Sequence, residues 1–200
     1  MAGPIDYYFD FSSPYGYLVC DDIDAFGAKH GREVVWRPFL LGTVFALTGQ
    51  TPLVDQPIKG DYYKRDWERF SKLLGLPYQF PDPFPISTVA AARAFYWLWD
   101  QDPKSAKDLS RALFRAYFGE NRNISSAEAV IEVAGEQGLD TKALAAALQD
   151  QAVKDRLRAE NDAAIARGVF GSPICIVDGE MFWGADRLWQ VKRWIEQGGW

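Results

Sequence analysis

The sequence predicts an α/β fold in which strands near both termini enclose a long helical segment. Near the N-terminus, Ile5 to Phe11 alternates as a strand does, and a helical pattern and a second apolar run, Glu33 to Arg37, follow it. Near the C-terminus come a short apolar run at Ile174 to Val177, the hairpin signal Asp178-Gly179 and an amphipathic helix. Residues from about 40 to 150 between them are a predominantly helical segment with almost no strand signal.

Local signals predict the individual elements. The first helix begins at Pro14, because proline is favoured at the first helical position, and Gly31 ends it. A helix of this length between two strands predicts a parallel βαβ unit. Residues 40–57 show no period, so we expect a long loop over a cleft. Further helices are predicted at residues 61–74, at 87–99 after a cap at Ser87, at 104–118, at 125–137 after a capping box at Ser125, at 141–148, at 153–165 and from Asp186 onward.

The order of these elements, β-α-β, then helices, then α-β-β-α, is that of a thioredoxin-like fold with an inserted all-helical domain. We expect residues 1–39 and 151–200 to form the thioredoxin-like domain and residues 40–150 to form the insertion. In that plan a cis-proline lies beside the start of the first helix. The Ser172–Pro173 bond is therefore predicted to be cis, although only about 5–6% of X–Pro bonds are.

The composition argues against several classes of function. The 200 residues are 48% hydrophobic and 15% aromatic, which is enough for a sizeable core, and the net charge of −5 with scattered Lys and Arg argues against nucleic acid. The single histidine, His30, is expected to be solvated at a helix C-terminus, and Cys20 and Cys175 to be isolated buried thiols, so no metal site is predicted. The opening MAGPIDYYF resembles no secretion signal and no run of 18 apolar residues exists, so we expect a cytoplasmic protein without a membrane span.

The start of the first helix carries Ser13-Pro14-Tyr15-Gly16, where a thioredoxin carries Cys-x-x-Cys. Without a thiol at either position, disulfide exchange cannot occur there. One interpretation is that Ser13 only caps the helix. The other is that its hydroxyl donates to a thiolate supplied from outside; a helix dipole worth ~0.3–1 kcal/mol and a charged hydrogen bond worth ~1.5–3 kcal/mol would lower the pKa of that thiol by about one to two units.

Three motifs occur in an order that resembles the 2-hydroxychromene-2-carboxylate isomerase family, kin of the kappa-class glutathione transferases. They are DFSSPYGYL, then KGDYYKRDWERF with LGLPYQFP, and finally GVFGSPICIVDGEMFWGADRL. The resemblance covers nearly the whole chain. It implies glutathione as the cofactor, a small aromatic carboxylate as the substrate and a homodimer.

The resemblance also implies roles for residues in the first two motifs and the loop between them. Ser13 corresponds to the active serine of the family, and Lys59 to a lysine that reaches the glycine carboxylate of glutathione. Gln50 corresponds to a polar residue nine positions before that lysine. From the residues alone, Lys59 remains open as a surface lysine and Gln50 as an ordinary loop residue.

In the third motif, the resemblance implies that the backbone of Ser172, before the cis-proline Pro173, pairs with the cysteinyl backbone of glutathione. It also implies that Ala185 and Asp186 bind the cofactor, with Asp186 on the γ-glutamyl ammonium; ordinary helix capping is the alternative for Asp186. Many relatives carry an aliphatic residue in place of Ser172 and some a serine in place of Ala185, so the resemblance implies backbone contacts only at these two positions.

The function implied is a glutathione-dependent cis–trans isomerase that interconverts 2-hydroxychromene-2-carboxylate and trans-o-hydroxybenzylidenepyruvate in naphthalene-type aromatic catabolism. The alternatives are a kappa-like glutathione transferase or peroxidase, and a non-redox binding protein of the thioredoxin fold. Five aromatic residues either line a substrate pocket or belong to the core: Tyr15, Phe39, Phe80, Phe84 and Trp183. The carboxylate also calls for a cation that the sequence does not identify.

Overall fold

A computed structural model describes residues 3–200. Met1 and Ala2, which belong to the predicted first domain and to the opening MAGPIDYYF, lie outside the described residues. The four strands form one mixed sheet in the order β2-β1-β3-β4, and they are β1 (Ile5–Phe9), β2 (Val34–Pro38), β3 (Ile174–Val177) and β4 (Glu180–Trp183). Strand β1 runs parallel to β2 and antiparallel to β3, which pairs antiparallel with β4. The predicted thioredoxin-like fold is confirmed.

Ten α-helices surround the sheet in the described part of the chain. They are α1 (Pro14–Cys20), α2 (Ile23–Lys29), α3 (Leu41–Thr48), α4 (Lys59–Leu74), α5 (Val89–Trp99), α6 (Pro103–Phe114), α7 (Ala127–Glu136), α8 (Thr141–Gln149), α9 (Gln151–Ala166) and α10 (Leu188–Gln197). None of these helices is both long enough and apolar enough to cross a bilayer.

The central strand β1 is buried on both of its faces, not on one as its alternating pattern predicts. On one face, Tyr7 and Phe9 belong to the main core cluster with α1, α5 and α6. On the other, Tyr8 packs against Phe39 in a second cluster that includes Val44 of α3 and Ala164 of α9. Phe39, which is 1% exposed, therefore belongs to the core on the face opposite α1, the second of the two alternatives that the sequence left open for it.

The predicted first helix is in fact two helices, because Asp21 and Asp22 interrupt it. Two consecutive aspartates disfavour a helix interior, and the N–H of Asp22 closes a tighter turn on the carbonyl of Val19. The predicted place of His30 at a helix C-terminus is correct, but its solvation is not. The His30 side chain is 8% exposed and packs on Phe26 with ring centroids 4.8 Å apart.

The expected long loop over residues 40–57 contains α3 and a short 3-10 helix, Leu53–Asp55. Contacts distant in sequence stabilise the start of α3. The N–H of Leu41 donates to the carboxylate of Asp10 at 2.8 Å, and the N–H of Leu40 donates to Asn161 at 2.8 Å. No local cap precedes α3, which is why the sequence pattern did not reveal it.

Several helix termini differ from the predictions by a few residues. Helix α4 begins two residues early, at Lys59. Helix α5 begins after Thr88 and not after Ser87, and the cap of α7 is Ser126, whose hydroxyl accepts from Ala129 N at 3.1 Å, and not Ser125. The predicted helix over 104–118 ends in a π-helical turn, Arg115–Gly119, and a 3-10 turn, Ala185–Arg187, precedes α10.

The division of the chain into a thioredoxin-like domain and an insertion at residues 39/40 and 150/151 stays a prediction. Residues from both predicted units share the main core cluster: Phe9 of β1 lies 6.1 Å from Phe95 of α5, ring centroid to centroid. The two-residue hairpin between β3 and β4 is as predicted, since both Asp178 (φ 51°) and Gly179 (φ 87°) adopt positive φ.

Candidate active site

Ser13 stands at the junction between β1 and α1. It has extended backbone angles, and its Oγ accepts the N–H of Gly16 at 3.2 Å, so the predicted helix cap is confirmed. Pro14 follows at the first helical position. The Ser13 side chain is buried, with 6% of the residue exposed. The hydroxyl is thus held at the helix start and screened from bulk solvent.

The loop before β3 lies directly against Ser13. The Oγ of Ser13 donates to the carbonyl oxygen of Ser172 at 2.9 Å, and the Ser172–Pro173 peptide is cis, as predicted. The hydroxyl of Ser172 accepts the backbone N–H of Asp10 at 2.9 Å. The structure therefore brings Ser13, Ser172 and Pro173 into one site, and the side chain of Ser172 has a role that the sequence did not indicate.

Asp10 connects this site to two distant helices, and the sequence analysis assigned it no role. Its carboxylate is buried and accepts from Ser12 N at 2.7 Å, Leu41 N at 2.8 Å and Thr88 Oγ1 at 3.0 Å. Burial raises the pKa of the Asp10 carboxyl above its ordinary value, although these hydrogen bonds oppose the shift. A charged residue at the end of an apolar strand was the signal that could have identified it.

Neither cysteine is part of the Ser13 site. Cys20 and Cys175 are free and buried, as predicted. Burial raises the pKa of the Cys20 thiol well above its ordinary value and that of Cys175 to about 12. Because a thiolate is the nucleophilic form, both thiols are inert at neutral pH. A thiolate at Ser13 must therefore come from another molecule.

The segment that carries Gln50 and Lys59 leads into α4. Lys59 is exposed at the first position of α4, and Gln50 is exposed just after α3. Gly60, the residue after Lys59, packs closely against Val54 in the segment between them, because a Cβ at this position would overlap the carbonyl of Val54. Among residues 3–200, no hydrogen bond joins Gln50 or Lys59 to Ser13.

The turn that carries Ala185 and Asp186 packs against α1. Gly184, the residue before the turn, donates its N–H to the carbonyl of Pro173 at 3.0 Å, which joins the turn to the cis-proline loop. Ala185 is buried, whereas the Asp186 side chain is 62% exposed and forms an ion pair with Arg187. The turn thus lies beside the Ser13 site with one carboxylate in solvent.

Aromatic side chains continue from Ser13 along the inner face of α4. The ring of Tyr15 lies 5.9 Å from that of Trp67, which in turn lies 6.3 Å from Phe80 and 5.7 Å from Phe84. The Tyr15 hydroxyl donates to Asp66 at 2.8 Å, and burial together with this carboxylate raises its pKa, so the phenol stays protonated. Three of the five predicted pocket residues therefore lie together.

Trp183 lies apart from this group, on the edge strand β4. It is 52% exposed, stacks edge-on with Phe170 at 5.0 Å and covers Gly171, where a Cβ would overlap its indole.

A separate cleft of about 320 Å³ lies at the far end of α1, between α6 and α7. Its arginines, Arg111, Arg115 and Arg122, are paired with carboxylates, and no predicted site residue lines it.

Comparison with known proteins agrees with this arrangement. Residues 4–196 match the model of the DSBA-like thioredoxin domain family. The chain belongs to this family. Within the family, a 2-hydroxychromene-2-carboxylate isomerase of Pseudomonas putida is 29% identical over 192 residues, which cover 94% of this chain and 92% of that protein. Glutathione S-transferase kappa 1 of Homo sapiens is 25% identical over 196 residues, which cover 92% and 87%.

A solved 2-hydroxychromene-2-carboxylate isomerase superposes on this member of the DSBA-like family with a TM-score of 0.85 and 28% identity, covering 96% of this chain and 94% of that one. These relatives are named as enzymes, and the resemblance inferred from the three sequence motifs is confirmed. At the level of its family, this chain is therefore an enzyme related to isomerases.

Proposed function

We propose that this protein is a glutathione-dependent isomerase that interconverts 2-hydroxychromene-2-carboxylate and trans-o-hydroxybenzylidenepyruvate. The observation that carries the proposal is the buried Ser13 hydroxyl at the start of α1, 2.9 Å from the carbonyl before a cis-proline. The names of the isomerase relatives support the choice of substrate. We further propose a homodimer in the cytoplasm.

The donors and acceptors around Ser13 fit glutathione. Its thiol would lie at Ser13, and its cysteinyl backbone would pair with the backbone of Ser172 before Pro173. Its two charged ends call for a cation and an anion, and the exposed side chains of Lys59 and Asp186 supply one each. Gln50 and Ala185 complete the proposed binding residues.

When bound, glutathione would supply a thiolate nucleophile that adds to the unsaturated ring and leaves again after the ring has opened and the former double bond has rotated, with no net redox change. Ser13 would stabilise that sulfur as an anion by donating a hydrogen bond from its hydroxyl, which in the free protein donates to the carbonyl of Ser172. The buried setting strengthens this charged hydrogen bond, because little water competes for either partner. The inert cysteines, Cys20 and Cys175, do not interfere.

The test is an absorbance assay of 2-hydroxychromene-2-carboxylate isomerisation with and without glutathione. Loss of one charged hydrogen bond predicts a fall in rate of about 10- to 100-fold for Ser13→Ala. The matched control is Ser110→Ala, which removes a buried hydroxyl within α6, outside the proposed site, and should keep the rate. A rate that is independent of glutathione, or unchanged in Ser13→Ala, would refute the mechanism.

Two other functions give different results in the same set of assays. Rapid conjugation of an aryl halide without isomerisation would indicate a kappa-like transferase, a reading that the kappa-class relatives support. A binding protein of the thioredoxin fold that does not use glutathione would not be retained on immobilised glutathione.

A further inference from the structure

We propose that Lys64 binds the carboxylate of a planar aromatic substrate whose rings pack on the partly exposed rings of Tyr15, Phe80 and Phe84, which we call the aromatic wall and which surround the buried Trp67. The inference deepens the proposed function and rests on it for the direction in which the substrate points. It names the cation that an aromatic carboxylate requires and the class of ligand that the wall accepts.

The aromatic wall begins at the proposed site of chemistry. Tyr15 is two residues from Ser13 and packs on Trp67, which stacks on Phe80 with an interplanar angle of 11°. The backbone N–H of Ile86, just after Phe84, donates to Ser12 Oγ at 3.3 Å. The wall is therefore attached to the Ser12-Ser13 turn at one end and reaches solvent at Phe80, which is 40% exposed.

Lys64 lies at that exposed end. Its Nζ is 5.5 Å from the centroid of the Phe80 ring. Its ion pair among the described residues is with Asp61 Oδ1 at 3.8 Å, in which the lysine side chain is 46% and the aspartate side chain 98% exposed. Solvent screens a long and exposed pair of this kind, so the ammonium is available to another anion.

The neighbouring cations of α4 are engaged more closely. Arg65 and Lys72 bind Glu68 at 2.7 Å and 2.6 Å, and Arg69 binds Asp66. Each of these pairs lies within one turn of the helix. Lys64 is therefore the cation of α4 that combines a loose partner with a place over the aromatic wall.

The aromatic wall and Lys64 together favour ligands that have both a flat aromatic ring and a negative charge. An apolar aromatic surface binds flat rings with little regard to orientation, and one charged group at its edge fixes the direction in which the ligand lies. A carboxylate held at Lys64 would direct the remainder of an aromatic ligand along the wall toward Tyr15 and Ser13. The wall alone would bind neutral aromatic molecules equally well.

Calorimetric titration of the full chain with 2-naphthoate and with neutral 2-naphthamide tests the inference, because the two probes share one ring system. Lys64→Gln should weaken 2-naphthoate binding about fivefold, the equivalent of ~1 kcal/mol, and leave 2-naphthamide unchanged. Lys64→Arg should restore the affinity. Lys72→Gln, a matched loss of charge on the same helix, should alter neither probe, and Phe80→Leu should weaken both.

Added salt should weaken 2-naphthoate binding to the wild type and not to Lys64→Gln. Equal affinity of the wild type and Lys64→Gln for 2-naphthoate, or no binding of 2-naphthoate to the wild type, would overturn the inference while leaving glutathione-dependent isomerisation intact. Conversely, charge-dependent binding through Lys64 without such isomerisation would overturn the proposed function and leave the role of Lys64 standing.

Discussion

Ser13 and Ser172 are 159 positions apart in sequence, and the hydroxyl of one donates to the carbonyl of the other at 2.9 Å. The bond joins the start of α1 to the cis-proline loop before β3. A second bond, from the N–H of Asp10 to the hydroxyl of Ser172, joins the same loop to the end of β1. Ser172 therefore contacts both sides of the β1–α1 junction, and the site exists only when the two ends of the chain have assembled.

Removing the Ser172 hydroxyl should destabilise the protein. In Ser172→Ala the N–H of Asp10 loses its acceptor in a buried setting, which costs about 1–3 kcal/mol of unfolding free energy. Ser172→Thr keeps the acceptor and should recover most of that loss. Urea unfolding followed by circular dichroism measures both.

Ser110→Ala is the matched control for this change. Ser110 is also buried, with 1% exposed against 8% for Ser172, but its hydroxyl donates to the carbonyl of Ala106 within α6, and that carbonyl keeps its helical partner when the hydroxyl is removed. We expect it to cost clearly less than Ser172→Ala. Equal losses in the two variants would show that Ser172 has no special place in the junction.

Asp10→Asn should reveal the buried carboxyl through the pH dependence of stability. Three donors face the carboxylate, so an amide group turned toward one of them should cost about 1–3 kcal/mol. Because the folded pKa of Asp10 is raised, the folded state holds the proton more tightly than the unfolded chain does. Its contribution to stability is therefore present below the unfolded value of 3.8 and declines as pH rises through the folded value.

The advantage of the wild type over Asp10→Asn in unfolding free energy should accordingly narrow as the pH rises above about 4. Urea unfolding of the two proteins at several pH values in this range measures it. An advantage that widens with pH would mean that the hydrogen bonds outweigh burial and that the carboxyl titrates below its ordinary value.

Ile58 should be replaceable by glycine with a gain in stability. It adopts φ 70° and ψ −45°, and the N–H of Lys59 donates across it to the carbonyl of Pro57 at 2.8 Å, which forms a γ-turn with positive φ. A β-branched residue in this conformation costs about 1–3 kcal/mol. Its side chain is 98% exposed, so little packing is lost with it.

The comparison with Ile58→Ala isolates the backbone effect, because alanine keeps the Cβ that causes the strain. We expect Ile58→Gly to be more stable than Ile58→Ala by about 1 kcal/mol after the greater chain entropy of glycine is deducted. Thermal unfolding of the two variants decides the matter. A more stable alanine variant would contradict the strained turn before Lys59.

The two cysteines should not react while the protein is folded. Burial raises both thiol pKa values, that of Cys175 to about 12, so a thiol reagent at about pH 8 meets almost no thiolate. We expect both thiols to react in denaturant, at rates close to those of a free thiol. Rapid modification of the native protein would contradict their burial and would reopen a role for an internal thiol.

Much of the fold was readable from the sequence because the signals are local. Pro14 and Gly31 mark where the first helical segment begins and ends, Asp178-Gly179 marks the hairpin, and Ser13 is recognisable as a cap. Each of these effects operates within a few residues, so one window of sequence contains its cause. Because Ser13 stands where a thioredoxin has a cysteine, the sequence also indicated that a thiol at this position would come from another molecule.

The tertiary structure decided what depends on distant partners. Helix α3 begins where Asp10 and Asn161 accept its first N–H groups, which no window around residue 41 contains. Phe39 lies on the sheet face away from α1, whereas Tyr15 lies beside Trp67, because topology and not composition sets which face a residue occupies.

The Ser13 site shows the same difference between local signals and contacts that are distant in sequence. The sequence by itself determined that a hydroxyl, and no thiol, occupies the start of α1, since residue identity and helix capping are local properties. Only the folded chain determined what that hydroxyl contacts. Its acceptor, the carbonyl of Ser172, is held by β3 and by the N–H of Asp10, and hydrogen bonds between segments this far apart form only after the sheet has brought their strands together.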